Sequence, residues 1–221
     1  MELMRLTRQR ASDEVYQALR HSILGQVFKP GGRLQVDEIA AKLGVSLTPV
    51  RQAIQQLAVE GLVEIRPRSG TFVALLTERE VEETCELRCA LECLAAELAV
   101  QRASSDDLVE FRRILHELGK PVVTEADRQQ HELENSRLHG LLIQCSGNSR
   151  LAATYKSLNA HLQIVRAHGR DVLWAERLPV EHAEHEEIVS ALEARDTARL
   201  VAALRRHILR ARSSMISGLK G

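Results

Sequence analysis

The stretch LQVDEIAAKLGVSLTPVRQAIQQLAVEGLVEIRPRSGTFV, residues 34–73, decides the fold of the N-terminal part of the chain. Apolar residues at helical spacing predict a short helix over Val36–Leu43, and Gly44 can take the left-handed conformation that ends it. Ser46 is placed to cap a second helix with its side chain. Pro49 falls in the first turn of that helix, where its missing N–H is harmless. Two helices joined by so short a turn are typical of a helix-turn-helix.

Two short runs that follow this second helix, Leu62–Ile65 and Thr71–Val73, alternate as the strands of a hairpin do. Their connection carries two cations and a glycine, Arg66, Arg68 and Gly70. A helix-turn-helix places the start of its second helix in the major groove, and a basic hairpin beside it can reach the DNA backbone. The sequence therefore predicts a winged helix-turn-helix.

These residues resemble the winged helix-turn-helix of the GntR superfamily of bacterial transcription regulators. The resemblance depends on three runs: VSLTPVRQA (45–53), EGLVE (60–64) and RSGTFV (68–73). It implies that the following residues face DNA: Ser46, Thr48, Arg51, Arg68 and Gly70. Arg66, the other cation of the hairpin tip, is a further candidate for contact with DNA.

Position 47 departs from the pattern of this family, in which an arginine that reads a guanine edge is usual. The chain has Leu47 instead. A leucine side chain cannot make the bidentate hydrogen bond to guanine, but it can contact the methyl group of thymine. We therefore predict an unusual operator sequence beneath the start of the second helix.

The composition of the whole chain is that of a globular, mainly α protein. Of its 221 residues, 44% are hydrophobic, 27% are charged and only 3% are aromatic, which favours helix over sheet. The net charge is zero, yet residues 1–76 hold ten Lys or Arg against seven Asp or Glu, as DNA binding at this end requires. No apolar run is long enough for a signal peptide or a membrane helix, so we expect a cytoplasmic protein without a membrane partner.

Helical patterning continues from Thr77 in about six segments, without a strand pattern. We therefore predict two domains: a winged helix-turn-helix in residues 1–76 and an all-α, six-helix antiparallel bundle in residues 77–221. Three cysteines lie four residues apart on the first of these helices: Cys85, Cys89 and Cys93. They are interpreted as small buried apolar residues, with a redox sensor as the alternative.

Histidines give the second domain its candidate chemistry. The last two helices should form an antiparallel hairpin that turns between Arg195 and Asp196. His185 lies eleven residues before Asp196 and His207 eleven after it. At about 1.5 Å per residue both lie at the same height, each on an apolar face. His139, on an apolar face of an earlier helix, is a third candidate, and three neutral imidazoles can hold a divalent transition metal with positions left open.

The second domain resembles the FCD ligand-binding domain of the FadR branch of GntR regulators, in its shorter, VanR-like version. The supporting motifs are ELRCALE (86–92), LHGLLIQCSGNSRL (138–151) and HEEIVSALEARD (185–196). The resemblance implies a metal held by His139, His185 and His207 together with an aspartate one turn before the first of them. Asn135 stands at that aspartate position. Its amide oxygen can ligate, but it is neutral and attracts a dication less than a carboxylate does.

The sequence is compatible with two kinds of bound group in this pocket. The pocket can hold a divalent transition metal such as zinc or nickel, or it can act without metal as a three-histidine site for a carboxylate. Arg88 in the ELR motif can pair bidentately with the carboxylate of an effector, or it can form an ordinary ion pair with Glu92 one turn on.

We interpret the sequence as that of a homodimeric, DNA-binding transcription regulator whose operator affinity changes when a small organic acid binds. A regulator in which the metal ion itself is the signal is the alternative. A metal-dependent hydrolase fits less well, because the chain has no H-E-x-x-H motif or clearly placed general base. It also leaves residues 1–76 without a role, so we expect no enzymatic activity.

Overall fold

The computed structural model describes the backbone of residues 9–25, 27–75, 77–168 and 174–219, and the side chains of residues 11–25, 27–75, 77–158 and 176–219. The chain divides into two compact units. The first contains the described residues of 1–77 and 157–168, and the second those of 78–156 and 169–221.

The first unit combines three helices with a small sheet in its described N-terminal part. In chain order the elements are α1 (Gln9–Leu24), β1 (Arg33–Leu34), α2 (Val36–Leu43), α3 (Leu47–Val59), β2 (Val63–Arg66) and β3 (Gly70–Val73). Helix α1 packs against α3. Their apolar faces supply the core of this unit, in which Leu19, Ile23, Val50 and Leu57 are buried.

The turn between α2 and α3 follows the prediction in its backbone but not in its cap. Gly44 ends α2 with a φ of 65°, and its N–H donates to the Ala41 carbonyl at 3.3 Å. Ser46 is the N-cap residue of α3 with an extended backbone, yet its side chain makes no capping hydrogen bond. The predicted side-chain cap is therefore wrong. The Ser46 side chain is exposed, so water can satisfy the hydroxyl and the first N–H groups of α3 instead.

The wing is a three-stranded antiparallel sheet in the order β1-β3-β2. Strands β2 and β3 extend to Arg66 and Gly70, which lie opposite each other at the base of the tip. The strands predicted from the sequence, Leu62–Ile65 and Thr71–Val73, do not include these two residues. Strand β1 was not predicted, because its two residues are too few to show an alternating pattern.

The part of the chain after the wing contains six helices within the described residues, which confirms the mainly α fold and the helical second part. They are α4 (Glu78–Arg102), α5 (Ser105–Leu118), α6 (Glu125–Cys145), α7 (Ser149–His168), α8 (Trp174–Glu193) and α9 (Thr197–Leu219). Residues 157–168, the end of one of these helices, belong to the first unit, and the other described residues of the six helices belong to the second. Ser104 and Thr124 form capping boxes at the starts of α5 and α6. Arg195, with a φ of 56°, turns the chain between α8 and α9 as expected.

The core of the second unit is formed by α4, α5, α6, α8 and α9, whose fully buried side chains include Phe111, Ile114, Leu138, Leu142, Ile188, Leu192 and Leu204. Helix α9 packs against both α4 and α8. Helix α6 packs against α4 and α5, and side chains of α6, α8 and α9 meet inside the unit. In the part of the chain that the structure describes, no helix is long and apolar enough to cross a membrane.

Candidate functional site

Three histidines from three helices meet in the interior of the second unit. His139 on α6, His185 on α8 and His207 on α9 are at most 2% exposed. Their ring centroids lie 5.7 Å apart for His139 and His185, 5.1 Å for His139 and His207, and 4.7 Å for His185 and His207. One nitrogen from each ring lies within 4.8 Å of the other two. His185 and His207, which the α8–α9 turn predicts to lie at the same height, are thus in contact.

A buried carboxylate orients the His139 ring. Nδ1 of His139 lies 2.7 Å from Oε2 of Glu92, while the other carboxylate oxygen accepts from Arg88 Nε at 2.6 Å and from the Tyr155 hydroxyl at 2.9 Å. A carboxylate can only accept, so Nδ1 of His139 carries the proton and Nε2 keeps its lone pair. That Nε2 is buried and has no hydrogen-bond partner among the described residues.

Charge and burial fix the protonation states of this pair. Burial alone would raise the pKa of Glu92, but the charge of Arg88 and the contact with His139 hold that pKa well below its usual range. Burial lowers the pKa of His139 to about 3, and the nearby Arg88 cation also disfavours the protonated ring. His139 is therefore a neutral imidazole at neutral pH, which is the form that binds metals.

His207 is held in the same way by a second carboxylate. Its Nδ1 lies 2.8 Å from Oε2 of Glu184, and Arg210 Nε donates to the other oxygen at 2.7 Å. Burial opposes ionisation of Glu184, yet the hydrogen bonds from His207 and Arg210 leave its pKa lower than usual. Nε2 of His207 is consequently the nitrogen that remains available for a ligand.

His185 lies beside these two rings and has no hydrogen bond on either nitrogen to any described residue. Its pKa is lowered well below the usual value by burial and by the neighbouring His207. A buried polar group without a partner costs about 1–3 kcal/mol, so such groups call for a physical explanation. A bound ion that takes up the imidazole lone pairs provides one.

Asn135 is the remaining predicted ligand, on the same helix as His139. It is 8% exposed and lies one helical turn before His139 on α6. Its amide Nδ2 donates to Oε1 of Glu181 at 3.1 Å. Its Oδ1 is buried and makes no hydrogen bond within the described part of the chain.

These donors fit a divalent transition metal. Zinc binds imidazole nitrogen at about 2.0–2.1 Å, which places two nitrogens of a tetrahedral site roughly 3.3 Å apart. The three nitrogens of this site lie within 4.8 Å of one another, close enough to be grouped around one ion. Neutral imidazoles suit zinc, nickel, copper and iron more than calcium or magnesium.

Arg88 takes the more ordinary of its two predicted partners. The side chain is fully buried and forms an ion pair with Glu92 at 2.6 Å. Burial alone would lower the pKa of Arg88, but the charge of Glu92 outweighs burial and raises that pKa above its usual value. One terminal nitrogen, Nη2, is buried without a hydrogen-bond partner among the described residues. Contact between Arg88 and an effector therefore stays a prediction.

The predicted DNA-facing residues lie at the start of α3 and at the tip of the wing. Side chains of Ser46, Thr48 and Arg51 are exposed, whereas Leu47, the first residue of α3, is half-buried. Arg68 is exposed at the tip with a φ of 64°. Contact of these residues with DNA stays a prediction.

Arg66 and Gly70 form the base of the tip. Arg66 is paired with Glu64 at 2.8 Å and lies over the Phe72 ring, 4.6 Å from its centroid. An exposed ion pair of this kind is weak and screened by solvent, so a phosphate can replace Glu64. Gly70 has a φ of 122°, and a Cβ added there would lie 3.0 Å from Nε of Arg33. Arg33 on β1 is therefore an additional cation of the wing.

The three cysteines of α4 are reduced in this structure. Cys85 and Cys93 are buried, and Cys89 is half-buried with its sulfur 4.0 Å from that of Cys93. Burial, followed by the neighbouring Cys89, raises the pKa of Cys93 to about 12. The burial of two of them agrees with an apolar packing role, and redox sensing stays an untested alternative.

Several residues that complete the histidine site were not predicted as site residues: Glu92, Tyr155, Glu181 and Glu184. Glu92 had appeared only as an ion-pair partner of Arg88. A carboxylate one residue before His185 and another four residues before it were visible in the sequence. Nothing in their spacing indicated which charged residues of α8 would turn inward.

Comparison with known proteins decides the family. The model of the gntR family of bacterial regulatory proteins matches residues 11–73, and the model of the FCD domain matches residues 83–210. The chain belongs to the GntR family. It is a transcriptional regulator with a GntR helix-turn-helix and an FCD domain, and GntR-type regulators bind operator DNA.

This GntR-family protein is 31% identical over 206 residues to the "Probable D-xylose utilization operon transcriptional repressor" of Paenarthrobacter nicotinovorans, which covers 92% of this chain and 88% of that one. Its fold is similar to that of E. coli McbR/YncC, with a TM-score of 0.78 and 22% identity over 94% and 97% of the two chains. The metal-free FCD domain of TM0439 is similar as well, with a TM-score of 0.56 and 24% identity over 66% of this chain and 99% of that one.

Proposed function

We propose that this GntR-family protein is a homodimeric regulator whose affinity for its operator is set by a small organic acid, bound at a metal centre of the FCD domain. The ligands of the metal are His139, His185, His207 and Asn135, and the metal is zinc or nickel. The observation that supports the metal centre best is that three buried imidazoles converge while at least three of their ring nitrogens lack partners among the described residues. The carboxylates of Glu92 and Glu184 orient two of these rings.

The effector is proposed to be a carboxylate for two reasons. A divalent metal, when bound, would supply open coordination positions for an anionic oxygen. Arg88 has a buried Nη2 without a described partner. Arg88 donates to Glu92, and Glu92 in turn contacts His139. A second anion can therefore be held there by charge-assisted hydrogen bonds from Arg88.

On the DNA side, the start of α3 is proposed to enter the major groove. Ser46, Leu47, Thr48 and Arg51 would lie against base edges and phosphates there, while the wing residues Arg66, Arg68 and Gly70 would follow the backbone. Two copies of the chain would read two half-sites of a palindromic operator, separated by one helical turn or a multiple of it.

The test is a titration of operator affinity with metal and with organic acids, separately and together. An operator is first selected from a random duplex pool, and its Kd is then measured by fluorescence anisotropy for protein stripped of metal and for protein reloaded with zinc or nickel. We expect acids to change the Kd only when metal is present. A full response to metal alone would identify the ion as the signal. No binding to any duplex at low salt would refute the proposal.

Arg88→Lys tests the effector contact without leaving a charge unpaired. A lysine can still pair with Glu92, but it lacks the second planar donor that a carboxylate effector would use. We expect this variant to bind the operator as the unchanged protein does and to lose most of the response to acid. An unchanged response would remove Arg88 from the effector site.

A further inference from the structure

The histidine site has two matching pairs of side chains that face each other across α6 and α8. Asn135 and His139 lie four residues apart on α6, and Glu181 and His185 lie four residues apart on α8. Residues at this spacing share a helix face. The rings of His139 and His185 are 5.7 Å apart, and one turn earlier Nδ2 of Asn135 donates to Glu181 at 3.1 Å.

This hydrogen bond fixes which end of the Asn135 amide is available to a ligand. A carboxylate accepts hydrogen bonds and cannot donate them when ionised, so the amide must turn its NH2 group toward Glu181. Its Oδ1 then points away from Glu181, and it is a buried oxygen without a hydrogen-bond partner among the described residues. An amide held in this way needs no rearrangement before its oxygen can bind a cation.

The same carboxylate also supplies charge to the site. Its Oε1 accepts the hydrogen bond from Asn135 at 3.1 Å, so the carboxylate of Glu181 lies directly against the residue whose oxygen is to bind the ion. Nε2 of His131 lies 3.9 Å from the same carboxylate oxygen that Asn135 contacts. A carboxylate therefore lies next to a ligand set that is itself made of three imidazoles and an amide.

We propose that Glu181 compensates for the missing aspartate at position 135, where this chain has Asn135. It is a positioning residue: it orients Oδ1 of Asn135 toward the three histidines and provides the negative charge that a bound dication requires. The inference deepens the proposed metal centre and depends on it.

The test measures metal affinity in solution, with zinc, nickel and cobalt as the probes and the full-length protein in competition with a chelating dye. Glu181→Gln removes the charge with little change in shape. We expect it to weaken metal binding about 10- to 100-fold, as loss of an outer-shell partner does elsewhere. Glu186→Gln is the matched control, because Glu186 lies on the same helix, is exposed and has a weak contact with His182 at 3.5 Å. It should stay within about twofold of the unchanged protein.

A second pair of variants separates orientation and charge from a merely structural role. Asn135→Asp places a carboxylate in the ligand position, but next to Glu181 it creates two like charges about 3 Å apart. We therefore expect Asn135→Asp to raise metal affinity more in the Glu181→Gln background than in the unchanged protein. The unfolding midpoint of the metal-free protein should differ little between Glu181→Gln and Glu186→Gln, since the inference concerns metal binding.

The outcomes are distinguishable. If His185→Ala abolishes metal binding while Glu181→Gln behaves as Glu186→Gln does, the inference about Glu181 is wrong and the proposed metal centre stands. Equal gains from Asn135→Asp in both backgrounds would also overturn the inference. If the unchanged protein binds none of the three metals, the inference and the metal centre of the proposed function are both overturned.

Discussion

Glu92 is a buried carboxylate with three partners in the second unit, and Glu92→Gln is the substitution that tests its role. It is fully buried and accepts from Arg88 Nε at 2.6 Å and from the Tyr155 hydroxyl at 2.9 Å, while His139 Nδ1 lies 2.7 Å from its other oxygen. Glutamine has nearly the same shape, but it is neutral and its NH2 end cannot accept. The variant therefore leaves the Arg88 cation buried without a counter-charge.

The expected loss is large compared with the stability of a domain. Removing one partner of a buried ion pair costs about 3–5 kcal/mol, whereas whole domains are stable by about 5–15 kcal/mol. A urea dependence of about 2 kcal/mol per M converts this loss into a midpoint lower by roughly 1.5–2.5 M. The variant should also bind metal more weakly, because the neutral amide that replaces the Glu92 carboxylate no longer fixes the tautomer of His139.

Urea unfolding of the metal-free protein, followed by circular dichroism at 222 nm, measures the effect. Glu97→Gln is the control, since Glu97 is an exposed residue on the same helix. The double variant Arg88→Met/Glu92→Gln should lose less stability than the sum of the two single variants, because no buried cation is left. A midpoint of Glu92→Gln that matches Glu97→Gln, or strict additivity in the double variant, would refute this account of the site.

Three further predictions concern pH, the wing and the operator. Burial lowers the pKa of His139 to about 3 in the folded protein, below its ordinary 6.5. The associated stability is present above pH 6.5 and is lost as the pH falls toward 3, by about 1.4 kcal/mol per pH unit. Urea unfolding of the metal-free protein at several pH values should show this slope, and His139→Gln should reduce it. Gly70→Ala forces a side chain into a φ of 122° and should lower stability by about 1–3 kcal/mol in thermal unfolding. The helical Gly140, whose added Cβ meets no atom within 4 Å, should tolerate alanine. Leu47→Arg should shift the selected operator toward guanine at one position of each half-site, by about 1–3 kcal/mol of discrimination. An unchanged selected sequence would contradict the role given to Leu47.

Much of the fold was predictable because its signals are local. Gly44 marks the end of α2, and the 3.6-residue spacing of apolar residues marks the helices of the second unit. The pairing of His185 with His207 was also accessible, because an antiparallel hairpin with a known turn fixes the heights of residues on both helices. The cap at Ser46 could not be decided in this way, since an exposed hydroxyl can choose water over the backbone.

The sequence by itself determined the helix-turn-helix, the helical second part and the three histidines that are candidates for a metal, because each depends on spacing along one helix or across one turn. Only the tertiary structure decided that Glu92, Glu184 and Glu181 turn inward to serve His139, His207 and Asn135. These contacts join α4 to α6 over 47 residues, α6 to α8 over 46 residues and α8 to α9 over 23 residues. Which buried carboxylate meets which imidazole depends on how the helices pack, and no pattern within a single helix contains that information.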